Sequence, residues 1–266
     1  VSAQNLFVAD PSGLGRIYEF TPGGVQSTFA TGLGFISGMA FDSAGDLFVS
    51  NGYDIIYKLT PDGVQSTFAT GLTLAAGLAF NSVGNLFVAD NAGTIYEYTP
   101  GGVRSTFASG GHPHSLAFDS ADNLFVGSGI GNITKYTPGG MGSVFASGLN
   151  PYALAFNSAG NLFVADAPAG KVYEFTPGGV QSTFASFFPP GSSYPEGLVF
   201  NSAGDLFVSD ADHSIIYEYT PGGVRSTFAS GIGALSLLAF QPTPVPEPSA
   251  LGLLSACVAA LLVRRR

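Results

Sequence analysis

Tryptophan is absent from the 266 residues, and cysteine occurs once, as Cys257. No disulfide can form within the chain, so its stability must come from a buried core, which this length can supply. Charge is scarce: Asp, Glu, Lys and Arg make up 10% of the residues, 9 basic against 18 acidic. Arg264, Arg265 and Arg266 hold three of the positive charges and Glu247 one of the negative. The body before them therefore carries 6 basic and 17 acidic residues, a net of −11. Six scattered cations on an acidic body make no polyanion-binding surface, which sets nucleic acid aside as a partner. Before Phe240 no stretch has a helical period of apolar residues. Catalytic signatures are missing too: there is no Ser-His-Asp signature, G-x-S-x-G elbow, phosphate-binding glycine loop or C-x-x-C.

What the chain has in abundance is one repeated phrase, seen whole from Gly77 to Phe107. The tripeptide LFV begins at Leu6, Leu47, Leu86, Leu124, Leu162 and Leu206, in steps of 41, 39, 38, 38 and 44 residues. The turn TP(G/D)G begins at Thr21, Thr60, Thr99, Thr137, Thr176 and Thr220. A repeat of this length is one supersecondary unit that must pack against its copies to bury a core.

Each copy reads as four short strands. Strand A is Leu-Ala-Phe or similar, at Met39 to Phe41, Leu78 to Phe80, Leu116 to Phe118, Leu154 to Phe156, Leu198 to Phe200 and Leu237 to Phe240. A tight turn such as Asp42-Ser43-Ala44-Gly45 follows, with glycine expected in the left-handed position. Strand B, LFVA or LFVS, is apolar on both faces and must be covered on both. Strand C, as in Ile95-Tyr96-Glu97-Tyr98, has the aromatic and β-branched content of a sheet. Thr-Pro-Gly-Gly predicts a type II turn, with proline second and glycine third. Strand D, VQSTFA, alternates as a half-exposed outer strand does. Blades of four antiparallel strands, apolar on both faces in the middle, predict an all-β, six-bladed β-propeller over residues 1–240. The chain enters at an A–B turn, before a strand B, and its pattern stops at the strand A of residues 237–240. That last strand is expected to complete the N-terminal blade and close the ring. The LFVAD…IYEF units, as at Leu6–Asp10 and Ile17–Phe20, resemble those of NHL-type six-bladed propellers, which implies the same fold.

After Phe240 the composition changes. Residues 241–249 form a proline-rich linker that cannot continue a sheet. Residues 250–266 are an apolar run, expected as a short helix, ending in arginine. At 1.5 Å per residue, the fourteen residues from Ala250 to Val263 would span roughly 21 Å. The order Pro246-Glu247-Pro248, apolar run, then Arg264-Arg265-Arg266 resembles the PEP-CTERM sorting signal of Gram-negative bacteria. The resemblance implies an exosortase as the partner that reads and removes the tail. It also implies an exported protein, tethered to the inner membrane before processing and afterwards on the outer surface or in an exopolysaccharide matrix. The arginines would stay cytoplasmic, and an export signal would have to precede Val1.

In this layout the B–C and D–A loops open on one face, the expected ligand face. The B–C loops begin with Asp10, Asn51, Asp90, Ser128, Asp166 and Asp210. Such a ring offers oxygen ligands to Ca²⁺, but a carboxylate repeated in so many blades is expected to cap its own loop. Departures from the repeat say more. The D–A loop from Ser186 to Pro195 is the longest, and brings Phe187, Phe188, Tyr194 and Glu196. Another D–A loop holds His112 and His114, and a B–C loop holds His213. Glu196 and Asp210 resemble the start of the metal set of gluconolactonase-like propellers. His112, His114 or His213 would supply the histidine that virginiamycin-lyase-like propellers use with Mg²⁺. Tyr53, Tyr152 and Tyr194 are loop aromatics able to stack on a sugar ring or pack locally. The expected function is a non-enzymatic binding or scaffold module for a polysaccharide or a surface protein, with no required cofactor. The alternative is a lactonase or lyase dependent on Ca²⁺ or Mg²⁺.

Overall fold

A computed structural model of the chain describes residues 4–10, 13–186, 194–233 and 235–242. The sorting-signal residues Pro246, Glu247, Pro248, Arg264, Arg265 and Arg266, the expected helix, and Phe187 and Phe188 lie outside these. Blade one holds β1 (Leu6–Asp10), β2 (Arg16–Phe20) and β3 (Gln26–Ala30). Blade two is β4 (Gly38–Phe41), β5 (Leu47–Ser50), β6 (Ile56–Leu59) and β7 (Gln65–Ala69). Blade three is β8 (Ala75–Phe80), β9 (Leu86–Asp90), β10 (Thr94–Tyr98) and β11 (Arg104–Ser109). Blade four is β12 (Pro113–Phe118), β13 (Leu124–Ser128), β14 (Asn132–Tyr136) and β15 (Gly142–Ser147). Blade five is β16 (Pro151–Phe156), β17 (Leu162–Asp166), β18 (Lys171–Phe175) and β19 (Gln181–Ser186). Blade six is β20 (Pro195–Phe200), β21 (Leu206–Asp210), β22 (Ile215–Tyr219) and β23 (Arg225–Ser230). The last strand, β24 (Leu238–Phe240), pairs antiparallel with β1 and supplies the inner strand of blade one. Each inner strand touches the next around a closed circle, β4 to β8, β12, β16, β20, β24 and back to β4. The chain is a six-bladed β-propeller.

The two apolar faces of strand B explain the ring. Phe48 of blade two packs in one cluster with Leu86 and Val88 of blade three, so one blade's phenylalanine face meets its neighbour's leucine–valine face. Each strand-B phenylalanine also makes two edge-to-face contacts. Phe7 meets Phe29 of its own blade and Phe41 of the next, both at 4.9 Å between ring centroids. Phe207 of blade six meets Phe240 at 4.9 Å, which repeats the contact across the closure. Such pairs contribute about 0.5–1.5 kcal/mol each beyond their buried area.

Near the axis the blades touch through backbone. Gly38, Gly77 and Gly197 lie where an added Cβ would meet a carbonyl oxygen of the next blade, from Ala76, His114 and Ser236 respectively. Serine hydroxyls cross alternate junctions: Ser50 donates to Ala76 O at 2.8 Å, Ser115 to Pro151 O at 2.8 Å and Ser209 to Ser236 O at 2.7 Å. In each case serine pairs across the sheet with glycine, as Gly38↔Ser50, Ser115↔Gly127 and Gly197↔Ser209. The space holds one hydroxymethyl group, from either strand.

The C–D turn differs from the type II turn expected. Left-handed φ falls on the fourth residue, Gly24 at 77° and its equivalents, and not on the third. Gly24 N donates to Thr21 O at 2.8 Å, while the Thr21 hydroxyl accepts from Val25 N at 3.2 Å. The turn is therefore type I closed by a left-handed glycine, which is why Asp62 is tolerated in Thr60-Pro61-Asp62-Gly63.

On the opposite side from the B–C loops, asparagine at the start of strand B donates to the strand-C glutamate. Asn5–Glu19 is 2.6 Å, Asn85–Glu97 2.7 Å and Asn161–Glu174 2.6 Å. Blade two replaces this with the Lys58–Asp46 ion pair at 2.6 Å. Blade six has Asp205 near Glu218, where burial and then the Asp205 charge push the Glu218 carboxyl up.

Two stability predictions follow from these contacts. Gly197→Ala forces a methyl group against the Ser236 carbonyl and is expected to cost about 1–3 kcal/mol. A denaturation midpoint equal to wild type would show that blades six and one are not so closely apposed. Because Glu218 titrates higher in the folded state, its contribution favours folding at low pH. That contribution is lost as pH rises through the folded value. Asp205→Asn restores the amide donor and removes the repulsion. The expected gain is about 0.5 kcal/mol at neutral pH, vanishing below the ordinary glutamate pKa of about 4.3. An equal gain at both pH values would refute the charge argument.

Candidate functional site at the channel mouth

Six equivalent positions ring the channel where the inner strands begin: Ser37, Ala76, His114, Tyr152, Glu196 and Ser236. His114, Tyr152 and Glu196, expected in loops, belong instead to strands β12, β16 and β20. A proline opens each of these strands, a place where the missing N–H is tolerated. The register then shifts between Pro113 and Ser115, Pro151 and Ala153, and Pro195 and Gly197. The residue between is the unpaired bulge residue, and bulges re-aim side chains in this way. His114, Tyr152 and Glu196 consequently line the channel mouth together, across from Ser37 and Ser236.

The mouth is lopsided. Consecutive blades four, five and six contribute the three long side chains, and consecutive blades one, two and three contribute Ser236, Ser37 and Ala76. The space left by the small residues is a cavity of about 160 Å³, rimmed also by Phe35. Beneath it the channel narrows to about 90 Å³ lined by Met39, Leu78, Leu116, Leu154, Leu198 and Leu238. A side cavity of about 160 Å³ shares His114 and Tyr152 with the mouth and runs to Ser128, Gly129 and Asn150.

The His114 ring lies 5.5 Å from the Tyr152 ring, at 57°. Burial pushes the His114 imidazole down, so it is neutral near pH 7. Burial and then the neighbouring Asp212 charge push the Glu196 carboxyl up. Glu196 has no hydrogen-bond or ion-pair partner among the described residues. The Ser37 hydroxyl donates to Ala75 O at 2.5 Å and lies 3.0 Å from the Ser50 hydroxyl. The Ser236 hydroxyl is buried and finds no partner among the described residues. No lysine or arginine lines any of the three cavities.

The other candidates do not join this set. Asp90 is buried and accepts from the backbone N–H of Thr73, Leu74 and Ala92 at 3.0–3.1 Å, holding its own loop and the adjacent one. Asp166, also buried, accepts from Ala169 N at 3.3 Å. Asp210 accepts from His213 N at 3.3 Å and lies 3.0 Å from His213 Nδ1. His112 is exposed, with Nδ1 3.0 Å from Asn91 O, and does not converge on His114. Tyr53 is exposed on the β5–β6 loop. Tyr194 precedes β20, and its carbonyl accepts from Ala211 N at 3.1 Å. Ser37, Ser236 and Phe35, which sequence reasoning passed over, are set at the mouth by the ring positions of their strands. The signal available was the alignment of the residue two before each strand-A leucine or methionine.

A divalent ion of the Ca²⁺ or Mg²⁺ kind needs several hard oxygen donors. The mouth offers one carboxylate, and Asp210 is engaged with His213. Among the described residues no three His, Cys, Asp or Glu side chains gather to hold a metal. The described residues of the mouth do not fit such an ion.

Residues 244–266 match the family model described as the PEP-CTERM protein-sorting motif. Among curated proteins none matches the chain. Solved structures resemble it in fold. A gluconolactonase from Xanthomonas campestris is 20% identical, with a TM-score of 0.69 over 77% of this chain and 79% of that one. A structure described as streptogramin B lyase is 14% identical, with a TM-score of 0.68 over 84% and 78%. A catalytically inactive virginiamycin B lyase from Staphylococcus aureus with quinupristin is 13% identical, with a TM-score of 0.65 over 90% and 92%. At these identities the likeness is one of fold. The chain is a six-bladed β-propeller with a C-terminal PEP-CTERM motif, which marks it as an exported, sorted protein.

Proposed function

We propose that this protein is an exported binding module whose channel mouth holds an extracellular partner, a polysaccharide or a surface protein. An exosortase reads the tail, and the inner membrane holds the protein until the tail is removed. The propeller then serves on the outer surface or in the matrix. The carrying observation is the asymmetry of the mouth. The LFV strand and the TP(G/D)G turn recur in every blade, whereas the ring position runs Ser, Ala, His, Tyr, Glu, Ser. A scaffold that needed only packing would repeat one small residue there. Exposed Phe35, Tyr53, Leu74 and Ile130 surround this end of the channel and add apolar area for a partner.

A second reading, a lactonase or lyase, is favoured by one feature, the neutral imidazole of His114, which is the form a general base requires. Lactone hydrolysis or elimination that persists in chelator and disappears in His114→Ala would replace the binding-module reading.

The test is a glycan array together with capture from isolated cell surfaces, using wild type, Tyr152→Ala and His114→Ala. Truncating a central aromatic contact is expected to weaken binding about tenfold or more. Val103→Ala, in a turn at the other end of the propeller, is expected to leave binding unchanged. Partner binding that ignores both mouth substitutions would refute the assignment.

A further inference from the structure

Resting on the mouth as the binding site, we infer that its ligand is a small organic ammonium group, no larger than a single six-membered ring, with Glu196 as its counter-ion. Size comes first. The cavity is about 160 Å³, and an apolar cavity of about 150 Å³ takes a molecule the size of benzene. The channel below closes on leucine and methionine side chains, so the ligand enters end-on and anything longer projects outward.

Charge selects next. Glu196 is the one acid lining the cavity, and no lysine or arginine lines it. The four carboxylates of the B–C loops are buried at Asp10, Asp90, Asp166 and Asp210. At least three of them already serve loop amides, and Glu196 is the acid lining the cavity, with no partner among the described residues. Asp212 stands near it and adds to the negative potential. An anionic ligand would meet repulsion with no compensating cation.

Hydrogen-bonding capacity separates an ammonium from a neutral hydroxylic ligand. The Ser37 hydroxyl on the cavity wall spends its proton on Ala75 O and so serves as an acceptor. Ser236, 8% exposed, lines the same cavity with a hydroxyl that finds no partner among the described residues. With the Glu196 carboxylate these give the lining acceptors from three side chains, which match the three N–H donors of a primary ammonium. Aromatic rings complete the fit. Tyr152 and Phe35 are 39% and 47% exposed and approach the cavity from blades five and two, opposite one another in the ring. Ring faces attract a cation placed between them.

The experiment titrates the full 266-residue chain calorimetrically with three probes of one size, benzylammonium, benzyl alcohol and benzoate. Benzylammonium is expected to bind about tenfold more tightly than benzyl alcohol, with benzoate weakest. Glu196→Gln is expected to reduce benzylammonium to the affinity of benzyl alcohol while leaving the alcohol unchanged. Equal binding of the ammonium and the alcohol, or a preference that survives Glu196→Gln, overturns the cation assignment and leaves the mouth as a site for neutral ligands. Binding of none of the three overturns this inference alone, because the mouth site beneath it stands or falls on the glycan array and the Tyr152→Ala and His114→Ala variants.

Discussion

Edge-to-face packing of strand-B phenylalanines against the next blade is the interaction on which the rest depends. A single blade leaves both faces of its LFV strand apolar and uncovered, and four short strands alone bury too little to fold. Stacking six of them covers twelve faces only if the last blade returns to the first. The Phe207–Phe240 contact and the pairing of β24 with β1 do this. Closure removes the uncovered faces that an open stack would present, and it converges the inner strands so tightly that five of the six blades place glycine, alanine or serine beside the neighbouring strand. The serine–glycine pairing across Gly38↔Ser50 and Ser115↔Gly127 is a consequence of that crowding.

The same convergence creates the site. Where the inner strands begin, the ring widens and tolerates long side chains. Prolines at 113, 151 and 195 open three of the strands, and a bulge follows each one. A bulge residue gives up its ladder partner and gains a direction of its own. His114, Tyr152 and Glu196 thus stand in one arc with an empty half-ring before them. Their electrostatic state follows from burial more than from partners: the imidazole holds its proton less strongly and the carboxyl more strongly, each in the direction desolvation dictates.

Export and architecture suit one another physically. A chain with no disulfide draws its stability from interdigitated aromatic layers, which need no particular redox environment. The repeated carboxylates at the ends of strand B belong to this economy as well. Asp90 ties three amides of the loop before β8 and the β9–β10 loop, a structural use that accounts for a carboxylate recurring at Asp166 and Asp210.

The sequence by itself determined the period, the four strands of each blade, the closure by the final strand and the sorting tail. These are local or repeated patterns, and periodicity of two residues along a strand and about forty along the chain is legible without coordinates. The C–D turn was half legible: its residues were right, but which glycine is left-handed depends on the hairpin twist, and Asp62 was the overlooked clue. The site was legible only in its parts. His114 and Glu196 stood out as departures from the repeat, yet they read as loop residues because the apolar pattern of strand A begins only at Leu116 and Leu198. Ser37 and Ser236 were legible only as ring positions in an alignment of the repeats, being ordinary residues in ordinary contexts, and Phe35 stood outside even that alignment. Their meeting with His114, Tyr152 and Glu196 was decided by the tertiary structure alone, since positions roughly forty residues apart come within reach only after six blades have packed and the ring has shut.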